Sequence, residues 1–69
     1  MSPIERLSAR EIEVLKLVAA GGRSKEIARL LGVQPATIHS YRSRIMAKLG
    51  VTNVIALVRL AVRYHLIEL

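Results

Sequence analysis

The chain contains no cysteine, no phenylalanine and no tryptophan, and its acids number only five against eleven Lys and Arg. Without cysteine there is neither a disulfide framework nor a thiolate for zinc, a usage that fits a reducing compartment. Without Phe or Trp the core has to be aliphatic. No apolar run is long enough to span a bilayer, and the N-terminus lacks the basic-then-apolar pattern of a secretory signal, so the expectation is a soluble cytoplasmic chain with no membrane role. An enzyme has little to stand on. The acids Glu5, Glu11, Glu13, Glu26 and Glu68 form no paired constellation with the two imidazoles, His39 and His65. There is also no glycine-rich phosphate cradle, so neither catalysis, a metal nor a cofactor is expected.

What is present points elsewhere. Sixty-nine residues allow one domain, and 52% hydrophobic content argues for a folded one. A core of this size supplies only about 3 to 5 kcal/mol, which makes help from a partner or a longer parent chain reasonable. The formal charge of +6 and a pI near 10.9 favour a polyanionic partner, with nucleic acid and anionic membrane as the two candidates.

Residues 1–6 hold Pro3 and no clear period, and read as an N-terminal arm or linker remnant; residues 7–69 read as the domain. Ser8 and Glu11 have the spacing of a capping box and Leu7 can staple against Ile12, so a first helix is expected from Ala9. Ile12, Leu15, Val18 and Ala19 then recur at helical spacing, with Val14 alongside, until Gly21 and Gly22. Ser24 is the expected N-cap of a second helix with an apolar face of Ile27, Leu30 and Leu31, ended by Gly32. Only Val33 and Gln34 separate this from Pro35, where a third helix begins and runs to Leu49 before Gly50. A short helix, a glycine-containing turn and a longer helix make the helix-turn-helix pattern.

The third helix, 35–49, is the centre of the reading. At 100° per residue, Ile38, Arg42, Ile45 and Leu49 share one face, and Ala36, His39, Ser40, Ser43, Arg44 and Ala47 share the opposite one. That second face is small, polar and partly basic, with no acid between Glu26 and Asn53. Such a face suits close approach to an anion. Arg42, near the apolar side, is expected to pair with Glu13. Tyr41 reads either as a half-buried ring beside Ile38 or as a hydroxyl reaching out, and His39 either as a solvated residue or as part of the contact.

A fourth helix, 53–64, is expected with Asn53 as N-cap and Thr52 as the alternative. Leu57, Leu60, Ala61 and Tyr64 make an arc for the core. Ile55, Val58 and Val62 make a second arc that a small domain does not need for itself, favouring a dimer seam over a wider core. Residues 65–69 are expected to pack back through Leu66 and Ile67.

On these residues the chain resembles the LuxR-type DNA-binding output domain of NarL/FixJ-type response regulators. The resemblance is carried by Leu-Ser-Ala-Arg-Glu-Ile-Glu-Val-Leu from Leu7, Lys-Glu-Ile-Ala from Lys25, and Thr-Ile-His-Ser-Tyr-Arg-Ser-Arg-Ile-Met-Ala-Lys-Leu-Gly from Thr37. It implies an all-α, four-helix domain containing a helix-turn-helix, and sequence-specific binding of double-stranded DNA in transcription regulation. The third helix would enter the major groove and the fourth would form a homodimer. Base-facing positions then fall on His39, Ser40 and Ser43, joined by Arg44, which suits a guanine or a phosphate equally. Phosphate positions fall on Ser24, Lys25, Thr37, Tyr41 and Lys48, and dimer positions on Ile55, Val58 and Val62. A receiver domain in a longer chain, and RNA polymerase, are further partners the resemblance admits.

Four departures from the family pattern carry expectations. Ala36 stands where a basic residue often precedes the Thr, removing one contact. His39 stands for a common Lys, making groove affinity sensitive to pH. Val54 and Ala56 replace an Arg and a Glu at the start of the fourth helix. Gly22 replaces a large apolar residue, which predicts a looser turn before the second helix. The principal alternative is a helical protein-interaction module that works through the apolar surface of the fourth helix; a membrane-surface role for that helix comes third.

Overall fold

In the computed structural model, which describes residues 3–67, four α-helices follow a short 3-10 turn and no strand occurs among the described residues. The helices are α1 (Ala9–Ala19), α2 (Ser24–Leu31), α3 (Pro35–Leu49) and α4 (Val54–Arg63). Helix α1 packs against α2, α3 and α4, and α2 packs against α3. The all-α helix-turn-helix expectation holds.

Local chemistry explains each start. At α1 the Ser8 hydroxyl accepts from the Glu11 N–H (3.2 Å) while Glu11 Oε1 accepts from the Ser8 N–H (2.8 Å), so two otherwise unpartnered donors are satisfied reciprocally. Helix α3 begins at Pro35, whose missing N–H has no intrahelical partner to lose. Asn53 caps α4 by accepting from the Ala56 N–H at 2.8 Å. The start of α2 differs from expectation. Its N-cap is Arg23, with Ser24 already helical, and Glu26 Oε1 accepts from the Arg23 N–H at 3.1 Å. A glutamate three residues on can close a helix whose cap side chain has no acceptor, and that arm shifts the boundary by one residue.

The turn between α2 and α3 is set by Gly32, at φ 69°, a left-handed conformation in which a Cβ would be strained. Val33 follows, donating its N–H to the Ala28 carbonyl and packing on the core, so the chain leaves α2 and enters α3 within three residues. Gly50 ends α3 in the same conformation, and His65 adopts it after α4 at φ 59°. The expected tail is thus a defined helix end: Leu66 donates to the Ala61 carbonyl at 2.8 Å and packs inward. Of the expected tail, residues 68–69 lie outside the described residues.

Gly22 does not loosen the turn before α2. A Cβ there would lie 2.9 Å from the Leu17 carbonyl oxygen and 3.2 Å from Ile27, so the backbone passes too close for any side chain. Pro3–Arg6 forms a 3-10 turn against α3, and Ile4 packs on the core.

The core is aliphatic, as the missing Phe and Trp require. Leu7, Val14, Leu15, Val18, Ile27, Ala28, Ile38, Ile45 and Leu57 form it. On α2 the buried pair is Ile27 and Ala28 with Leu31 half-buried, whereas Leu30 is 73% exposed, contrary to the expected apolar face. An eight-residue helix can bury only a narrow stripe, and Ala28 lies nearer its centre than Leu30.

Candidate nucleic-acid interface

The outward face of α3 follows from what its inward face must do. Ile38 and Ile45 are fully buried, which fixes the helix about its own axis. Ala36, His39, Ser40, Ser43, Arg44 and Ala47, opposite them, are all exposed. The four expected base-facing residues therefore share one open surface. The Ser40 hydroxyl donates to the Ala36 carbonyl at 3.2 Å, a back-bond that leaves its lone pairs outward. Arg44 carries its guanidinium carbon 5.4 Å from the Tyr41 ring centroid.

The expected phosphate positions divide. Lys25 and Thr37 are exposed and Ser24 is half-buried, in the first turns of α2 and α3. Tyr41 is half-buried and packs against the core, in line with its more structural reading. Lys48 has a partner within the protein. Its ammonium lies 2.8 Å from Glu11 Oε1, and Glu11 is only 2% exposed. Lys48 thereby ties the C-terminal end of α3 to the N-terminal cap of α1, with its side chain still 38% exposed.

Glu11 is held ionised by this arrangement. Its carboxyl is lowered from the ordinary value of 4.5, first by the Lys48 hydrogen bond and then by the Ser8 N–H, which together outweigh desolvation. Its other oxygen, Oε2, is buried with no hydrogen-bond partner. The sequence reading missed Glu11 as a tertiary residue because its capping role already accounted for it. The expected Arg42–Glu13 pair does not form; Glu13 accepts from Arg10 at 3.1 Å, a partner one helical turn away that needs no long-range approach.

On α4, Leu57 and Ala61 of the expected core arc are fully buried, whereas Leu60 and Tyr64 are only half-buried. Ile55 is 70% exposed, and Val58 and Val62 are half-buried beside it. Arg59 and Arg63 are exposed on the same helix, which carries no acid. Helices α3 and α4 are bent 65° from each other, and among the described residues no single helix is long and apolar enough to cross a membrane. No group of three or more metal-ligating side chains gathers among those residues.

A compact set of four helices, with a two-helix unit joined by a three-residue turn and a basic second helix open to solvent, defines a helix-turn-helix DNA-binding domain of the kind found in transcription regulators. The chain belongs to the luxR family of bacterial regulatory proteins, whose profile matches residues 5–61. It is 51% identical over 47 residues to the transcriptional regulatory protein TdiR of Thauera aromatica, covering 68% of this chain and 21% of that one. It is 41% identical over 66 residues to the oxygen regulatory protein NreC of Staphylococcus aureus (96% and 30% of the two chains). Against the response regulator UvrY of Escherichia coli the identity is 35% over 65 residues (94% and 30%). The chain thus spans less than a third of the length of these curated relatives, which are regulators rather than enzymes. No solved structure matches it significantly.

Proposed function

We propose that this domain reads double-stranded DNA with α3 in the major groove, and that two copies meet through α4. The observation that carries the reading is the outward face of α3, where six small, polar or basic residues are exposed opposite two fully buried isoleucines. A helix admitted to the major groove needs a face that is short enough to approach base edges and free of negative charge. His39, Ser40, Ser43 and Arg44 face the bases. Ser24, Lys25, Thr37 and the Tyr41 hydroxyl lie toward the phosphates, which supply most of the affinity and its salt dependence. Lys48 contributes there only through the N–H groups that Glu11 leaves free.

The seam between copies is Ile55, Val58 and Val62. Each domain takes one half-site, with the two grooves about one helical turn, roughly 34 Å, apart. The relatives' greater length leaves room for a receiver domain preceding or following this one, whose phosphorylation would uncover α3 or α4; equal DNA binding by a full-length chain with and without phosphate would count against that role. DNA as target places the working compartment in the bacterial cytoplasm.

The test is duplex affinity against salt for the parent and for a His39→Ala, Ser43→Ala double variant, on selected and scrambled duplexes. The expected result is a log-log slope of about 0.9 per phosphate neutralised, with the variant losing only the preference for the selected sequence. A flat slope would transfer the reading to a protein-interaction module, for which the 70% exposure of Ile55 is the supporting observation.

A further inference from the structure

Arg44 could meet DNA as a point of charge against a phosphate or as a planar fork against a base. The Tyr41 ring bears on the choice. Tyr41 is half-buried and packed on the core, so its ring is anchored from below, and the Arg44 guanidinium carbon sits over it at 5.4 Å, within the range of cation–π attraction. Among the described residues no carboxylate, Glu5 of the 3-10 turn included, forms an ion pair with Arg44. Glu11 is taken by Lys48 and the Ser8 N–H, Glu13 by Arg10 and Glu26 by the Arg23 N–H, and residues 27–67 contain no acid.

The kind of partner matters for what Arg44 can still do. A carboxylate would consume the N–H edge of the guanidinium, whereas a ring engages its face and leaves the edge donors unspent. Those edge donors match the paired O6 and N7 acceptors that guanine shows in the major groove. Anchoring also removes part of the rotamer freedom that a long side chain otherwise loses on binding.

We propose that Tyr41 is a positioning residue that holds Arg44 edge-outward as a reader of one guanine in each half-site. This rests on α3 being the groove helix. It assigns Tyr41 a part in base selection beyond the phosphate contact expected of its hydroxyl. The other tyrosine offers an internal contrast, since Arg63 lies 6.0 Å from the Tyr64 ring at the end of α4 rather than on α3.

The experiment has a free-protein arm and a DNA arm. With only two tyrosines and two histidines as rings in the chain, ring-current shifts in the NMR spectrum are assignable: the Arg44 side-chain protons should be displaced in the parent and in Tyr41→Phe, and return to ordinary positions in Tyr41→Leu. The DNA arm uses duplexes selected from a random library by the parent, with each guanine in turn replaced by 7-deazaguanine, which lacks the N7 acceptor. One replacement per half-site should weaken the parent by about 5- to 20-fold, the lower part of what a bidentate arginine–guanine pair discriminates because one acceptor remains. That penalty should persist in Tyr41→Phe, shrink strongly in Tyr41→Leu with the salt slope unchanged, and vanish in Arg44→Ala. Arg44→Lys, which keeps the charge and disturbs no buried residue, should also lose it; a retained penalty in Arg44→Lys overturns the proposal even where Tyr41→Leu loses its helical signal. A full penalty in folded Tyr41→Leu removes the positioning role. A uniform loss in Arg44→Ala across all duplexes, with the salt slope shallower by about 0.9, makes Arg44 a phosphate contact instead. A parent that selects no sequence at all overturns the groove reading of α3 first, and this inference with it.

Discussion

Helices α3 and α4 both lie against α1, yet they are attached to it by different chemistry. Helix α3 is held by two buried isoleucines and by a directional polar tie, Lys48 to Glu11 at 2.8 Å. Among the described residues, helix α4 is held to α1 by apolar contact, through Leu57 and Ala61, with no side-chain polar tie. Their outer faces differ in the opposite sense: that of α3 is polar, that of α4 apolar through Ile55, Val58 and Val62. Apolar packing has no direction, so it fixes how deeply a helix sits more firmly than where it points. A charged hydrogen bond fixes both. A helix that must present individual side chains to individual base edges benefits from the second kind of anchor. A helix that offers an apolar arc to another protein surface tolerates the first.

The contrast can be broken from either side. The largest effect is expected from Leu57→Ala, which removes the main apolar anchor of α4 and should cost about 3 kcal/mol in urea denaturation, most of what a core this small supplies. Lys48→Met leaves the Glu11 carboxylate buried and unpaired. With Lys48 itself 38% exposed and partly screened by solvent, the cost should fall below that of a fully buried pair, about 2 kcal/mol. Replacing both partners, Glu11→Gln with Lys48→Met, should recover part of that loss, and a double variant no more stable than Lys48→Met alone would argue against the tie as the cause.

Acid should separate the two attachments more gently. Because the folded-state Glu11 carboxyl is lowered from 4.5, its contribution is fully present above that ordinary value and is lost as pH falls through the lowered one. Circular-dichroism stability measured from pH 7 downward should therefore decline below about pH 4.5 in the parent. In Lys48→Met this decline should disappear or reverse, since an unpaired buried carboxyl favours the protonated form. Leu57→Ala should lower the whole curve without changing its shape.

Smaller effects lie at the surface and the caps. Asn53→Ala should cost about 1 kcal/mol by removing the acceptor for the Ala56 N–H. Ile55→Asp should change monomer stability by no more than about 0.5 kcal/mol, yet weaken cooperative binding to a double DNA site. Unchanged cooperativity in that variant would sink the α4 seam and leave the α3 reading standing.

Much of this was legible within short windows of chain. The Ser8–Glu11 box, Pro35 opening α3, Gly32 and Gly50 closing helices, and Asn53 capping α4 are interactions over four residues or fewer, where spacing alone sets geometry. The exposed face of α3 was legible too, because burying Ile38 and Ile45 obliges residues half a turn away to face out. Less could be read where two local solutions compete. Ser24 and Arg23 are adjacent candidates for one cap, and Glu26 decided between them by reaching the Arg23 N–H.

The sequence by itself determined an all-helical, cysteine-free, strongly basic domain with a helix-turn-helix, since composition and 3.6-residue periodicity are local properties of the chain. Only the tertiary structure decided which charges meet. Glu11 and Lys48 stand 37 residues apart, and their contact depends on α3 crossing α1 at one place. Glu13 stays with its local partner Arg10 because that packing brings no closer cation to it, and the packing of Leu17 and Ile27 leaves no room for a side chain at Gly22. A side chain's partner is set by the distance between elements in space, and that distance is fixed by how the whole core packs.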